Sequence, residues 1–185
     1  SCILHYTTNR RPLINGGLLV SDVGAEYRGY TADVTRTIPP SGTFTEEEAI
    51  LYNIVLKAQL AGIDSCKVGA SFWTADQAAR KIISQELMKL GIIKSPREAM
   101  QYFPHGTSHY LGLDVHDAGL FMALEAGQVI TVEPGIYIPE GSDCDPKWWN
   151  IGIRIEDDIL IQEKGPVVLS DKSPKTIEAI ESMMK

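Results

Sequence analysis

The chain has 185 residues, 44% of them hydrophobic and 22% charged, and carries a formal net charge of −7. That length and balance suit one soluble domain with a sizeable core and exclude extended disorder. No Lys/Arg cluster offers a footprint for nucleic acid, and no apolar run approaches the roughly 20 residues of a bilayer span, so neither partner is expected.

The chain opens at Ser1 rather than Met and runs almost at once into a β-rich stretch, residues 3–6, with nothing before it to cover a strand. A C-terminal part of a longer protein is the expectation. Cys2, Cys66 and Cys144 are an odd number at unrelated spacings, which fits reduced thiols in a cytoplasmic protein.

Residues 17–38 read as a β-hairpin, with a β-rich run over 18–23, a turn at Gly24-Ala25-Glu26 and a Tyr-, Thr- and Val-bearing return over 27–38. Thr45 and Glu48 form a capping box, after which Ile50, Leu51, Ile54, Val55 and Ala58 recur at helical spacing. A second helix starts near Ser71 or Thr74 and ends at Gly91. Ser95, Pro96 and Glu98 mark a short helix start. Strands are predicted over 129–133, 135–138 and 151–161, and Ser173-Pro174 opens a last helix to about Met183. Helices set between groups of antiparallel-looking strands indicate an α+β fold. Glu46, Glu47 and Glu48 read as charge suited to a helix start, and Trp148-Trp149 as packing or a partner surface ahead of a substrate-pocket lining.

Chemistry is announced by acids that interrupt apolar strands. Asp22 shares a face with Leu18 and Val20, and Asp33 with Thr31 and Thr35, by the two-residue period. Glu133 ends the run Val129-Ile130-Thr131-Val132, and Arg154 and Glu156 share the face opposite the isoleucines of residues 151–155. Buried acids need partners, and like charges at close range raise one another's pKa. Two divalent cations would neutralise four such carboxylates. Three of the four histidines, His105, His109 and His116, fall in one stretch of about a dozen residues. One imidazole added to the acids gives a mostly oxygen donor set suited to Mn²⁺, Co²⁺, Fe²⁺ or Zn²⁺.

The runs DVGAEYRGYTADVTRT (22–37), HGTSHYLGLDVHD (105–117), TVEPG (131–135) and RIEDD (154–158) closely resemble the pita-bread metallopeptidases. Within that family they look most like Xaa-Pro aminopeptidases. The resemblance spans nearly the whole chain, from His5-Tyr6-Thr7 to the RIEDD run. It implies a pita-bread fold, incomplete here in its N-terminal half, with residues 1–185 as the catalytic domain. It also implies removal of the residue that precedes a proline at the second position of a peptide. Asp22, Asp33, His109, Glu133 and Glu156 would ligate two divalent ions, most simply Mn²⁺, with Co²⁺ or Zn²⁺ as alternatives; Asp33 and Glu156 would bridge them. Glu133 would double as proton acceptor, His5, His105 and His116 would contact substrate, and Arg154 and Tyr137 would lend hydrogen bonds. An ordinary salt bridge from Arg154 to Glu156 or Asp158, and a plain core role for Tyr137, remain open.

Prolidase and methionine aminopeptidase are rivals within the family; Ser108 stands where prolidases usually have Gly, and methionine aminopeptidases normally lack the RIEDD run. A non-catalytic binding module of the same fold is the reading from another class, weakened because all five ligand positions are present. The family also implies a homo-oligomer for the full-length protein.

Overall fold

The computed structural model describes residues 1–10, 12–13 and 16–185. Strands β1 (Leu19–Val23) and β4 (Val34–Ile38) pair antiparallel, with Asp22 opposite Thr35. Between them lies a smaller hairpin, β2 (Glu26–Tyr27) with β3 (Tyr30–Thr31). The turn expected at residues 24–26 therefore falls further on. Arg28 and Gly29, at φ of 55° and 87°, supply the two positive values that a two-residue hairpin turn needs. Gly24 serves close approach instead, since a Cβ there would lie 1.6 Å from the Ala32 carbonyl oxygen.

Helix α1 (Glu46–Ser65) opens on the expected box, with Glu48 N–H donating to Thr45 Oγ1 and Thr45 N–H to the Glu48 carboxylate. Helix α2 (Thr74–Lys89) stops before Gly91, whose φ of 71° lets the chain reverse. A 3₁₀ turn at Pro96–Glu98 leads into the short α3 (Ala99–Tyr102). Strands β5 (Val129–Val132), β6 (Gly135–Ile138), β7 (Ile151–Arg154), β8 (Asp157–Leu160) and β9 (Val167–Val168) follow, then α4 (Ile177–Met183). All pairings are antiparallel, in the orders β5-β8-β9 and β6-β7, as an α+β fold requires.

Three further elements differ from the sequence reading. Residues 3–6 form no strand; the Ser1 hydroxyl accepts from Gly152 N–H of β7 at 2.8 Å and donates to Asn150 O at 3.4 Å, and bonds through one side chain make no ladder. The stretch 151–161 is two strands in different sheets. Its junction is pulled two ways, because Ile155 N–H donates to Pro134 O and Glu156 N–H to Thr35 O. The last helix begins after Thr176, whose hydroxyl caps Ala179 N–H, because the carbonyls of Ser173 and Pro174 are occupied by Arg36.

One face of α1 (Leu51, Tyr52, Val55, Ala58) packs on Ile83 and Leu87 of α2 and on Ile136, Ile153 and Ile155 below it. Each of these isoleucines is fully buried and contributes roughly 2–3 kcal/mol by apolar burial. Trp148 lies in this core and Trp149 packs against it, in keeping with the packing role expected of both. A second cluster joins Phe72 and Tyr110 to Ile130, Val132 and Ile159. No ladder connects β4 to β7, yet Thr37 Oγ1 donates to Arg154 O (2.9 Å) and accepts from Arg154 N–H (3.0 Å). Side chains thus hold the two strand pairs together, leaving their polar faces around a common cavity. Among the described residues no helix is long and apolar enough to cross a membrane.

Candidate metal centre

The cavity has a volume of about 330 Å³, and its walls include Asp22, Asp33, His109, Glu133 and Glu156. His5, His105, His116 and Arg154 also line it, His5 and His116 as exposed rim residues. Each group arrives on a different element. Asp22 comes from β1, Asp33 precedes β4, Glu133 follows β5, and Glu156 stands at the β7–β8 junction. His109 is carried by the segment before β5, which is tied alongside that strand: Thr131 N–H donates to His109 O at 2.9 Å and Glu133 N–H to Thr107 O at 2.8 Å.

His109 Nδ1 lies 3.1 Å from the Tyr110 carbonyl, an acceptor, so Nδ1 carries the proton and Nε2 presents a lone pair. That lone pair faces carboxylate oxygens of Glu133 at 3.4 Å, Asp33 at 3.6 Å and Glu156 at 4.0 Å. Burial lowers the His109 pKa and keeps the ring neutral. An acceptor surrounded by acceptors is unstable without a proton or a cation between them.

The acids tell the same story. Burial, compounded by mutual repulsion, pushes Asp33 up to about 7, Glu133 to about 8 and Glu156 to about 9. Glu156 Oε2 accepts from Thr35 Oγ1 at 2.6 Å, while its Oε1 is buried with no hydrogen-bond partner among the described residues. Asp33, His109 and Glu156 each offer an atom within 4.8 Å of the others, close enough to share one ion. The donor set and the orphaned Oε1 fit divalent cations well. Asp22 lies at the edge, its side chain 42% exposed, and is held by Arg154.

Arg154 does not bridge to Glu156 or Asp158, as an ordinary salt bridge within its own strand would require; it reaches across to Asp22. Its Nε also donates to Thr35 Oγ1 at 3.1 Å and its Nη1 to the Tyr137 hydroxyl at 3.4 Å. Tyr137 is buried but is more than packing, because its hydroxyl meets His105 Nε2 at 2.8 Å. His105 Nδ1 faces the Gly106 carbonyl, so Nε2 accepts from the tyrosine, and burial pulls the ring down to about 4. The His116 ring stands edge-on to His109, 4.4 Å between centroids. The expected site residues therefore converge. Sequence reading missed Thr35 as the group joining Glu156 to Arg154. Its signal was faint but present, since the two-residue period places it on the face of Asp33.

The model of metallopeptidase family M24 matches residues 1–163. An Xaa-Pro aminopeptidase of Haemophilus influenzae is 42% identical over 196 residues, covering 100% of this chain and 46% of that protein. The chain belongs to metallopeptidase family M24.

Solved structures of family M24 members superpose closely. An aminopeptidase of Pseudomonas aeruginosa gives a TM-score of 0.96 at 37% identity, over 99% of this chain and 45% of that one. A zinc-substituted Escherichia coli aminopeptidase P in complex with product gives 0.96 at 40% identity, over 99% and 44%. The fold is thus the pita-bread fold of this family, represented in part, and the chain spans less than half the length of these relatives.

Proposed function

We propose that residues 1–185 are the catalytic part of an Xaa-Pro aminopeptidase, which removes the residue preceding proline at the N-terminus of a peptide. The observation that carries this is the convergence of a neutral His109 lone pair with buried carboxylates and the unpartnered Glu156 Oε1. The names of the relatives supply the substrate class, and the chain's own residues supply the means.

Asp22, Asp33, His109, Glu133 and Glu156 would hold two divalent cations. Bound there, the cations would supply Lewis acidity, neutralising the acids, polarising the scissile carbonyl and acidifying the attacking water. Glu133 is the proton acceptor, set between His109 and His105, whose Nδ1 lies 3.9 Å from its Oε2. His105 is oriented by Gly106 at Nδ1 and by Tyr137 at Nε2, stays neutral, and lines the cavity where the peptide would contact it. His5 and His116 at the rim meet the peptide, and Arg154 fixes Asp22. A mostly oxygen donor set supports Mn²⁺, with Co²⁺ or Zn²⁺ acceptable. The unpaired thiols of Cys2, Cys66 and Cys144 support a cytoplasmic setting, and the full-length protein is read as a homo-oligomer.

The test joins metal analysis of the purified protein to an assay on Xaa-Pro-Xaa tripeptides and Xaa-Pro dipeptides. Two equivalents of metal with tripeptide cleavage are expected. Cleavage of dipeptides alone would make it a prolidase, and a folded, metal-free, inert protein would make it a binding module.

A further inference from the structure

Behind the metal centre lies a second set of charges that the proposed chemistry does not use. Asp157 is completely buried and every lone pair direction is taken. Its Oδ1 accepts from Arg36 Nη2 at 2.7 Å and Ser170 Oγ at 2.6 Å, and its Oδ2 from Gln59 Nε2 at 2.7 Å and Lys175 Nζ at 2.6 Å. Arg36 sits on β4, one residue from Thr35 and three from Asp33, and is itself 9% exposed. Its Nη1 donates both to Thr35 O and to Glu156 O, and its Nε and Nη2 donate to the carbonyls of Pro174 and Ser173.

One guanidinium therefore grips the two backbone carbonyls at the point where the halves of the metal centre meet. Next to it, both carboxylate oxygens of Asp158 accept from Asp33 N–H, at 3.2 and 3.3 Å. The last three residues of the RIEDD run are thus divided. Glu156 turns into the cavity, while Asp157 and Asp158 reach back to fix β4. No strand ladder performs this task, because β4 and β8 belong to different sheets.

Resting on the metal-centre reading above, we infer that Arg36 and Asp157 are a positioning pair that sets the distance between Asp33 and Glu156, and so the affinity for the ion those two residues share. Arg36 is suited to this because its planar fork holds several acceptors in fixed directions, which a lysine ammonium cannot reproduce. Groups that orient metal ligands typically change metal affinity by about 10–100-fold when lost.

The experiment compares wild-type protein with Arg36→Lys, Arg36→Gln and Lys175→Met. Each is stripped of metal, melted, and titrated with Co²⁺ by calorimetry and by the visible absorption of the bound ion. Lys175 is the control because it shares Asp157 but is not bonded to β4 or to Glu156. Arg36→Lys should stay folded, weaken Co²⁺ binding at least 10-fold and alter the absorption bands of the bound ion. Lys175→Met should lower the melting temperature yet keep Co²⁺ affinity within about threefold of wild type, since it spares the ligand geometry.

A folded Arg36→Lys with wild-type Co²⁺ affinity would overturn the inference. So would equal weakening by Lys175→Met, which would make the network merely structural. Arg36→Gln keeps an amide donor and leaves Asp157 paired with Lys175, so it replaces Arg36→Lys if the latter does not fold. Failure of both to fold would assign the pair to stability alone and also sink the inference. Wild-type protein that binds no Co²⁺ would instead bring down the metal-centre reading itself.

Discussion

Glu156 and Asp157 are neighbours in sequence and equally buried, at 1% and 0% exposure, yet their environments are opposite. Glu156 faces other acids, leaves one oxygen without a partner and has its pKa pushed up to about 9. Asp157, although desolvated, also accepts from Gln59, and its bonds from Lys175, Ser170 and Arg36 hold its pKa below the ordinary value. Burial alone thus says little about a carboxylate. Charge balance separates an acid that completes the fold from one that awaits a ligand.

The sharpest way to break this contrast is to neutralise each acid in turn. Glu156→Gln should reduce the proposed peptidase turnover by at least about 10³-fold while leaving the metal-free protein as stable as before or more so, because an amide avoids the cost of keeping a buried acid protonated above its unfolded pKa. Asp157→Asn should act the other way round on stability, costing about 3–5 kcal/mol by leaving Arg36 and Lys175 short of a counter-charge. Steady-state kinetics and thermal melts of the same two preparations check both; a stability loss in Glu156→Gln as large as in Asp157→Asn would erase the distinction.

A pH series sharpens it further. Asp33, Glu133 and Glu156 have folded pKa values raised to about 7, 8 and 9, above their ordinary values. Raised acids stabilise the fold while protonated, so their contribution is complete below their unfolded pKa values and is lost as pH climbs through the folded ones. The metal-free protein should therefore lose on the order of several kcal/mol between about pH 5 and 9, and saturating Mn²⁺ should abolish that loss. Melting curves that rise with pH in the absence of metal would contradict the assignment of repulsion to this cluster.

Smaller effects test the supports. Thr35→Val removes the hydroxyl that donates to Glu156 and accepts from Arg154, and should cost about 1–3 kcal/mol together with a loss of metal affinity, read by calorimetry. Lys57→Ala breaks a surface pair with Glu86, 2.7 Å apart but exposed on the lysine side, and should shift stability by no more than about 1 kcal/mol.

Much of this was legible in the sequence. The capping box at Thr45 and Glu48, the stop at Gly91 and the antiparallel strands follow from local rules: side-chain caps, positive φ and alternation. The site residues could be named because acids stand out in apolar strands and because four separated motifs resemble one family. The turn at residues 28–29 escaped because Gly24 and Gly29 are equally good turn candidates locally. Only the close contact between Gly24 and Ala32 assigns them different tasks. Thr35 and Arg36 were hidden differently, since a threonine and an arginine on a strand carry no mark of what they will face.

The amino-acid sequence by itself determined which side chains could form a metal centre and which secondary structure would carry them, because those properties are set within a few residues. Tertiary structure decided which way each acid of the 156–158 run points. Read as one strand, residues 151–161 would put Glu156 and Asp158 on a common face. In the fold the strand breaks at 155–156, because its backbone is claimed by Pro134 on one side and Thr35 on the other, partners 21 and 121 positions away in the chain. A choice made by such distant partners leaves no trace in local pattern.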